Sequence, residues 1–193
     1  MHKIGGISLI ALALLMSLAT SGAAQTNSKS MQSGLSEYVD GHGNISLPQD
    51  YAKTFVYLGT FAISDEGGVQ QLHVVYTRPS DAEAYKRDGK FPDGAILVKE
   101  VYKTQSGDFT TGHGSYSKDL VQWFVMVKDS KNRFAENPNW GLGWGWALIK
   151  PEDRSKNIST NYATDCKSCH LPAQKNDWNY IEGYPVLRRA SAK

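Results

Sequence analysis

Cysteine is almost absent from this chain of 193 residues: there are two, Cys166 and Cys169, three positions apart. That scarcity excludes a disulfide framework and a zinc centre built from four thiolates. A dominant charge is lacking as well. The formal net charge of +2 leaves no basic excess of the kind that holds nucleic acid. One long apolar run exists, Ile7 to Leu18, and no second follows it, so the rest of the chain offers no membrane-spanning helix. No internal repeat is visible.

That single apolar run reads as an address. Lys3 supplies a positive start, the run has signal-peptide length, and Ser21-Gly22-Ala23-Ala24 offers the small residues that a signal peptidase reads. Cleavage is expected after Ala24, with residues 1–24 as the signal peptide. Residues 25–36 (QTNSKSMQSGLS) are polar and patternless, a flexible tether, and 37–193 form one domain. The expected location is outside the cytoplasm, in the periplasm.

Both cysteines lie in Cys166-Lys167-Ser168-Cys169-His170. A thioredoxin-like pair belongs beside a βαβ unit, which is missing here. One Cys-x-x-Cys with one His falls short of a zinc ligand set. A simple disulfide leaves the adjacent histidine unexplained. Covalent attachment of one haem c uses all three residues: two thiols for the two vinyl groups, and the next histidine for the iron. On one continuous helix they fall at i, i+3 and i+4, a single face. Thr160 or Asn161 is expected to cap that helix, and Pro172 to end it.

The 23 residues after His170 contain neither Met nor His. A sixth iron ligand would have to come from Met31, His42, His73, His113 or Met126, each more simply read as an ordinary polar or core residue. An open sixth position follows, which suits gas binding or catalysis better than electron transfer.

The body of the chain reads as strands. Phe55 to Ile63, Leu72 to Thr77, Ala95 to Lys103, Leu120 to Lys128 and Trp144 to Lys150 are rich in β-branched and aromatic residues. Turn signals stand at Gly67-Gly68 and at Asp129 to Asn132. Two short helices are expected, Pro48 to Lys53 and DAEAYKR, the latter capped by Ser80 and Asp81 and stopped by Gly89. The fold class is mainly β (α+β), a curled antiparallel sheet with a few short helices, closed by a C-terminal haem-c helix. In Ala95 to Lys103 both faces are mostly apolar, so Lys99 and Glu100 are costly polar groups in mid-strand. Either one side chain reaches water, or Lys99, Glu100 or both line the haem pocket.

In these features the chain resembles the cytochrome P-460 family. Phe91-Pro92-Asp93-Gly94 leading into AILVKEVY carries the resemblance, with WFVMVKD from Trp123, NPNWGLGWGWAL from Asn137 and CKSCHLPAQKNDWNYIEGYPVL at the end. It runs from about Leu47 to Leu187. The resemblance implies a mainly β homodimer with a five-coordinate haem c. It also implies, for name-giving members, a lysine amine bonded to the porphyrin and oxidation of hydroxylamine, alone or with nitric oxide, to nitrous oxide. Related cytochromes c-prime-beta lack the lysine link and bind nitric oxide without turnover. Lys99 is the candidate for the crosslink, with Lys103 on the same face as the alternative. Burial lowers a lysine's pKa and exposes a nucleophilic amine. His73, Arg78 and Glu100 are candidate distal polar groups, although Lys99 and Glu100 share a pocket only if the strand carries a bulge. An electron-transfer cytochrome, with Met126 or an upstream histidine as sixth ligand, is the remaining reading. An unidentified redox partner completes the expected set.

Overall fold

The computed structural model describes residues 34–188, so the expected signal peptide and most of the expected tether lie outside the described residues. Strand-forming runs separated by glycine and Asn/Asp turns give one antiparallel sheet, with its elements in the order α1 (Tyr51–Thr54), β1 (Val56–Asp65), β2 (Gly68–Thr77), α2 (Pro79–Asp88), β3 (Ile96–Phe109), β4 (Gly112–Lys128), β5 (Trp140–Gly141), β6 (Trp144–Lys150) and β7 (Asp153–Asn157). Two short helices follow, α3 (Tyr162–Asp165) and α4 (Lys167–His170). The strand order is β1-β2-β3-β4-β6-β5, and β7 also pairs with β6. The mainly β reading therefore holds, with few and short helices.

Both faces of the sheet are covered, which explains why its central strands are apolar on both sides. On one face Ile96, Val98, Trp123, Val125, Val127 and Ile149 pack against the N-terminal residues Val39, Ile45, Leu47 and Tyr51, with Leu35 at the margin. On the other, Leu58, Val75, Leu97, Met126, Trp144 and Trp146 meet α2 and the C-terminal segment through Tyr85, Cys166, Trp178, Tyr184 and Leu187. Two glycines let that segment come close. A Cβ on Gly59 of β1 would lie 1.8 Å from the Gly183 carbonyl oxygen, and one on Gly141 would lie 2.1 Å from the Tyr162 ring.

Several local expectations are corrected. Helix α1 starts at Tyr51 rather than Pro48, and runs to Thr54. Helix α2 is capped by Arg78, with Pro79 in its first turn, while Ser80 and Asp81 lie inside it. Asp81 is buried because its carboxylate accepts the Arg78 guanidinium at 2.8 Å and the Ile96 backbone N–H at 3.1 Å. Gly89 does end α2, in the left-handed conformation at φ 73°. Strands β3 and β4 run well past their expected limits, pairing from Thr104↔Ser117 to Phe109↔Gly112 as a two-stranded ribbon beyond the rest of the sheet. The haem helix is broken at Cys166, whose φ of −130° separates α3 from α4. Pro172 does not stop the chain's winding, since Leu171–Asn176 continue as a 3-10 helix with Pro172 in its first turn.

Candidate haem site

The segment bearing both cysteines is set by local capping. The Asn161 side chain accepts from Ala163 N–H at 2.9 Å and starts α3. One carboxylate oxygen of Asp165 gathers the backbone N–H groups of Thr160 (2.9 Å) and Asn161 (3.2 Å) and the Ser159 hydroxyl (3.1 Å). These bonds, the Thr160 N–H first, hold its carboxyl well below the usual range. The break at Cys166 then turns its side chain inward, leaving Cys166 buried and Cys169 exposed, both on the wall of one cavity. Burial pushes the Cys166 thiol up to about 11, so it is protonated at neutral pH.

His170 stands on the same wall. Its Nδ1 lies 2.7 Å from the Trp178 carbonyl oxygen, and a carbonyl only accepts, so Nδ1 carries the proton. That leaves Nε2 as the bare nitrogen, the tautomer a metal ligand needs. The imidazole sits edge-on to Trp146, with ring centroids 4.7 Å apart. Burial lowers its pKa and keeps it neutral. The Tyr180 hydroxyl donates to the Cys169 carbonyl oxygen and ties the far side of α4 to the loop that follows.

The cavity has a volume of about 550 Å³, within the range of small-molecule and cofactor sites. Opposite the cysteines, its wall is the sheet face formed by Gln71, His73 and Val75 of β2, Leu97, Lys99 and Val101 of β3, and Gln122, Phe124 and Met126 of β4, with Phe61 and Ile63 from β1. Two thiols and one imidazole on one wall, with aromatic and aliphatic side chains across from them, are what a flat, apolar, twice-tethered macrocycle requires. The residues fit a haem. Among the described residues no group of three His, Cys, Asp or Glu side chains gathers to hold a bare ion.

Lys99 projects into this cavity, its Nζ 4.2 Å from the Phe124 ring centroid, and it makes no ion pair or hydrogen bond among the described residues. Burial lowers its pKa, and the neighbouring Cys169 and Cys166 thiols act weakly the other way. His73 also faces the cavity; its Nε2 lies 3.0 Å from Gln71 Oε1, and burial, assisted by the charge of Lys99, pushes its pKa down to about 4. Of the possible sixth ligands, His73 and Met126 border the cavity, whereas His42 is exposed and His113 pairs with Asp108 on the ribbon. Met31 lies outside the described residues.

Three expected site residues are elsewhere. Glu100 points to the opposite face, where its carboxylate accepts the Tyr51 hydroxyl; that hydroxyl accepts Trp123 Nε1–H at 2.8 Å. The register is regular through Lys99↔Val75 and Glu100↔Val74, so no bulge brings Glu100 round. Arg78 is taken up by Asp81 and by the Gly94 carbonyl at 2.6 Å. Lys103 is exposed and off the cavity wall. Residues not anticipated are Trp178, Tyr180, Gln71, Gln122 and Phe61. Only the Asn176-Asp177 pair, a turn signal in the run after His170, hinted that the chain doubles back there.

No described helix is long and apolar enough to cross a membrane. A search of curated proteins gives no match. The family model Cytochrome P460 matches residues 48–181, from just before α1 through the sheet to beyond His170, and the chain therefore belongs to the cytochrome P460 family of haem proteins.

Proposed function

We propose that this protein is a periplasmic mono-haem c cytochrome that oxidises hydroxylamine, alone or together with nitric oxide, to nitrous oxide. Cys166 and Cys169 would hold the haem through thioether bonds, and His170 would bind its iron. When bound, the haem would supply redox chemistry for a small nitrogen compound, with electrons passing on to an external acceptor. Two hydroxylamine molecules give one nitrous oxide and one water, releasing four protons and four electrons. Hydroxylamine with nitric oxide gives the same products with one proton and one electron.

The observation that carries this reading is Lys99, a lysine without an ion-pair or hydrogen-bond partner among the described residues, buried in an apolar cavity and facing both cysteines. A buried amine is stabilised in its neutral, nucleophilic form. Joining it to a porphyrin ring carbon replaces one N–H and one C–H, with two electrons passing to an external oxidant. His73, neutral at pH 7 and oriented by Gln71, is the cavity-wall imidazole through which a proton would pass, and its low pKa makes it hand the proton on rather than keep it. Phe61, Phe124 and Tyr184 make much of the wall around that space apolar.

Phe61 and Phe124 on the cavity wall also favour a second reading, a c-prime-beta-like protein that binds nitric oxide without turnover. Incubation of the haem-loaded protein with hydroxylamine and an electron acceptor separates the two. Nitrous oxide formed catalytically supports the enzyme; a stable nitric oxide adduct without product supports the binder. We assign a second copy of the chain as partner, meeting it through the ribbon of β3 and β4 where Phe109 and Tyr116 are exposed. A separate redox protein receives the electrons.

A further inference from the structure

Asp177 and Trp178 are, among the described residues, the one pair of successive non-glycine residues both in the left-handed region, at φ 57° and 66°. L-residues adopt this conformation at a cost and keep it only where surrounding contacts hold them. Here the contacts converge on Asp177. Its carboxylate accepts Lys128 Nζ–H at 2.5 Å and the Phe91 backbone N–H at 3.1 Å, and its carbonyl oxygen accepts Asn179 Nδ2–H at 2.7 Å. Both charged side chains are largely buried, 11% and 13% exposed.

Lys128 is a firm anchor. It is the last residue of β4, its N–H donates to the Ala95 carbonyl oxygen, its own carbonyl accepts from Gly94 N–H, and its ammonium lies 4.9 Å from the Trp144 ring centroid. A buried ion pair is a poor source of net stability, because desolvation offsets most of its attraction. Its evident product is geometric. The tight turn at Asp177 presents the next carbonyl, that of Trp178, to His170 Nδ1 at 2.7 Å.

We infer that Lys128 and Asp177 are a positioning pair for His170, acting through the Trp178 carbonyl to set the electron donation of the imidazole and so the reduction potential of the iron. The inference rests on His170 being the axial ligand, as proposed above. A strong Nδ1–H···O bond makes the imidazole a more basic ligand and stabilises ferric iron. When the turn relaxes, that bond weakens, the iron–histidine bond softens and the potential rises.

The test compares the holoprotein with Lys128→Met, Asp177→Asn and the double variant. It reads the iron–histidine stretching frequency of the ferrous state by resonance Raman and the midpoint potential by titration. Both single variants are expected to lower the frequency and raise the potential, and the double variant to match either alone. A direct effect of charge on the iron would move the two single variants in opposite directions, which overturns the inference. A purely structural pair would lower the melting temperature and leave both readouts unmoved, which also overturns it. Lys128→Arg, which keeps the cation, is expected to stay near the parent and gives a readout should Lys128→Met fail to fold. A parent protein without an iron–histidine band refutes the assignment of His170 itself, an outcome distinct from unmoved variants in a parent that shows the band.

Discussion

Lys99 and Phe124 are cross-strand partners on β3 and β4, and the lysine ammonium lies 4.2 Å from the centroid of the phenyl ring, inside the cavity that the two cysteines border. A cation over an aromatic face gains about 0.5–2 kcal/mol, less than the several kcal/mol it costs to bury an ion without a counter-charge. Burial therefore disfavours the charged form of this lysine, which is a chemical arrangement more than a stabilising one.

Lys99→Ala is expected to change the absorption spectrum. In the parent the Soret band should be strongly red-shifted, and the variant should return it to an ordinary c-type position while retaining its haem. Lys103→Ala should leave the spectrum as in the parent, since Lys103 is exposed and off the cavity wall. Parallel oxidised and reduced spectra of the three proteins check both statements.

His73 makes stability depend on pH with a defined sign. Its imidazole titrates near 6.5 when unfolded and at about 4 when folded, because burial, and then Lys99, disfavour its cation. The unfolded state thus binds more protons between these values, and the contribution, complete above about 6.5, is lost as the pH falls towards 4. A tenfold difference in proton affinity between the two states is worth about 1.4 kcal/mol, but the half-exposed ring is screened by water, so a loss of about 1–2 kcal/mol is expected. Urea unfolding at pH 7 and pH 4.5 should show a smaller difference in His73→Gln than in the parent. The same variant should lower hydroxylamine turnover by about 100-fold or more if His73 moves the proton.

Tyr51→Phe is a control on the other face. It removes the hydroxyl that donates to Glu100 and accepts Trp123 Nε1–H, leaving the buried indole N–H unpaired while Tyr76 and Tyr102 remain beside the Glu100 carboxylate. The expected cost is about 2–3 kcal/mol of stability. Haem absorption and turnover at temperatures below the melting transition should match the parent, since none of the three residues borders the cavity.

Phe109→Asp with Tyr116→Asp is expected to separate the dimer. The two rings lie 6.0 Å apart on the ribbon, both exposed in the single chain, and an isolated two-stranded ribbon is at best marginally stable in water. Sedimentation should give a dimer for the parent and a monomer for the double variant. A monomeric parent removes the proposed partner.

The sheet was legible wherever burial left an apolar imprint. Ile96, Val98 and Leu97 on β3, and Trp123, Val125 and Met126 on β4, each face a packed layer, and their side chains announced the strands. The ribbon from Thr104 to Ser117 faces water on both sides, so no hydrophobic period marked it. The cost of a mid-strand charge singled out Lys99, which borders the cavity with the cysteines, yet could not exclude Glu100 from the site, because a one-residue bulge would have reversed its face. The turn at Asp177-Trp178 left only the Asn176-Asp177 pair as a trace in the sequence, because what holds it lies 49 residues away in Lys128, a contact that only the closed fold brings about.

The proposed chemistry depends on Cys166 and Cys169 carrying one haem. The intact mass of the protein under denaturing conditions, after production alongside c-type haem maturation machinery, decides it. The parent is expected to weigh the mature chain plus a single haem, and Cys166→Ala with Cys169→Ala the mature chain alone. A parent mass without haem would refute covalent attachment, as would haem that persists when both cysteines and Lys99 are replaced together.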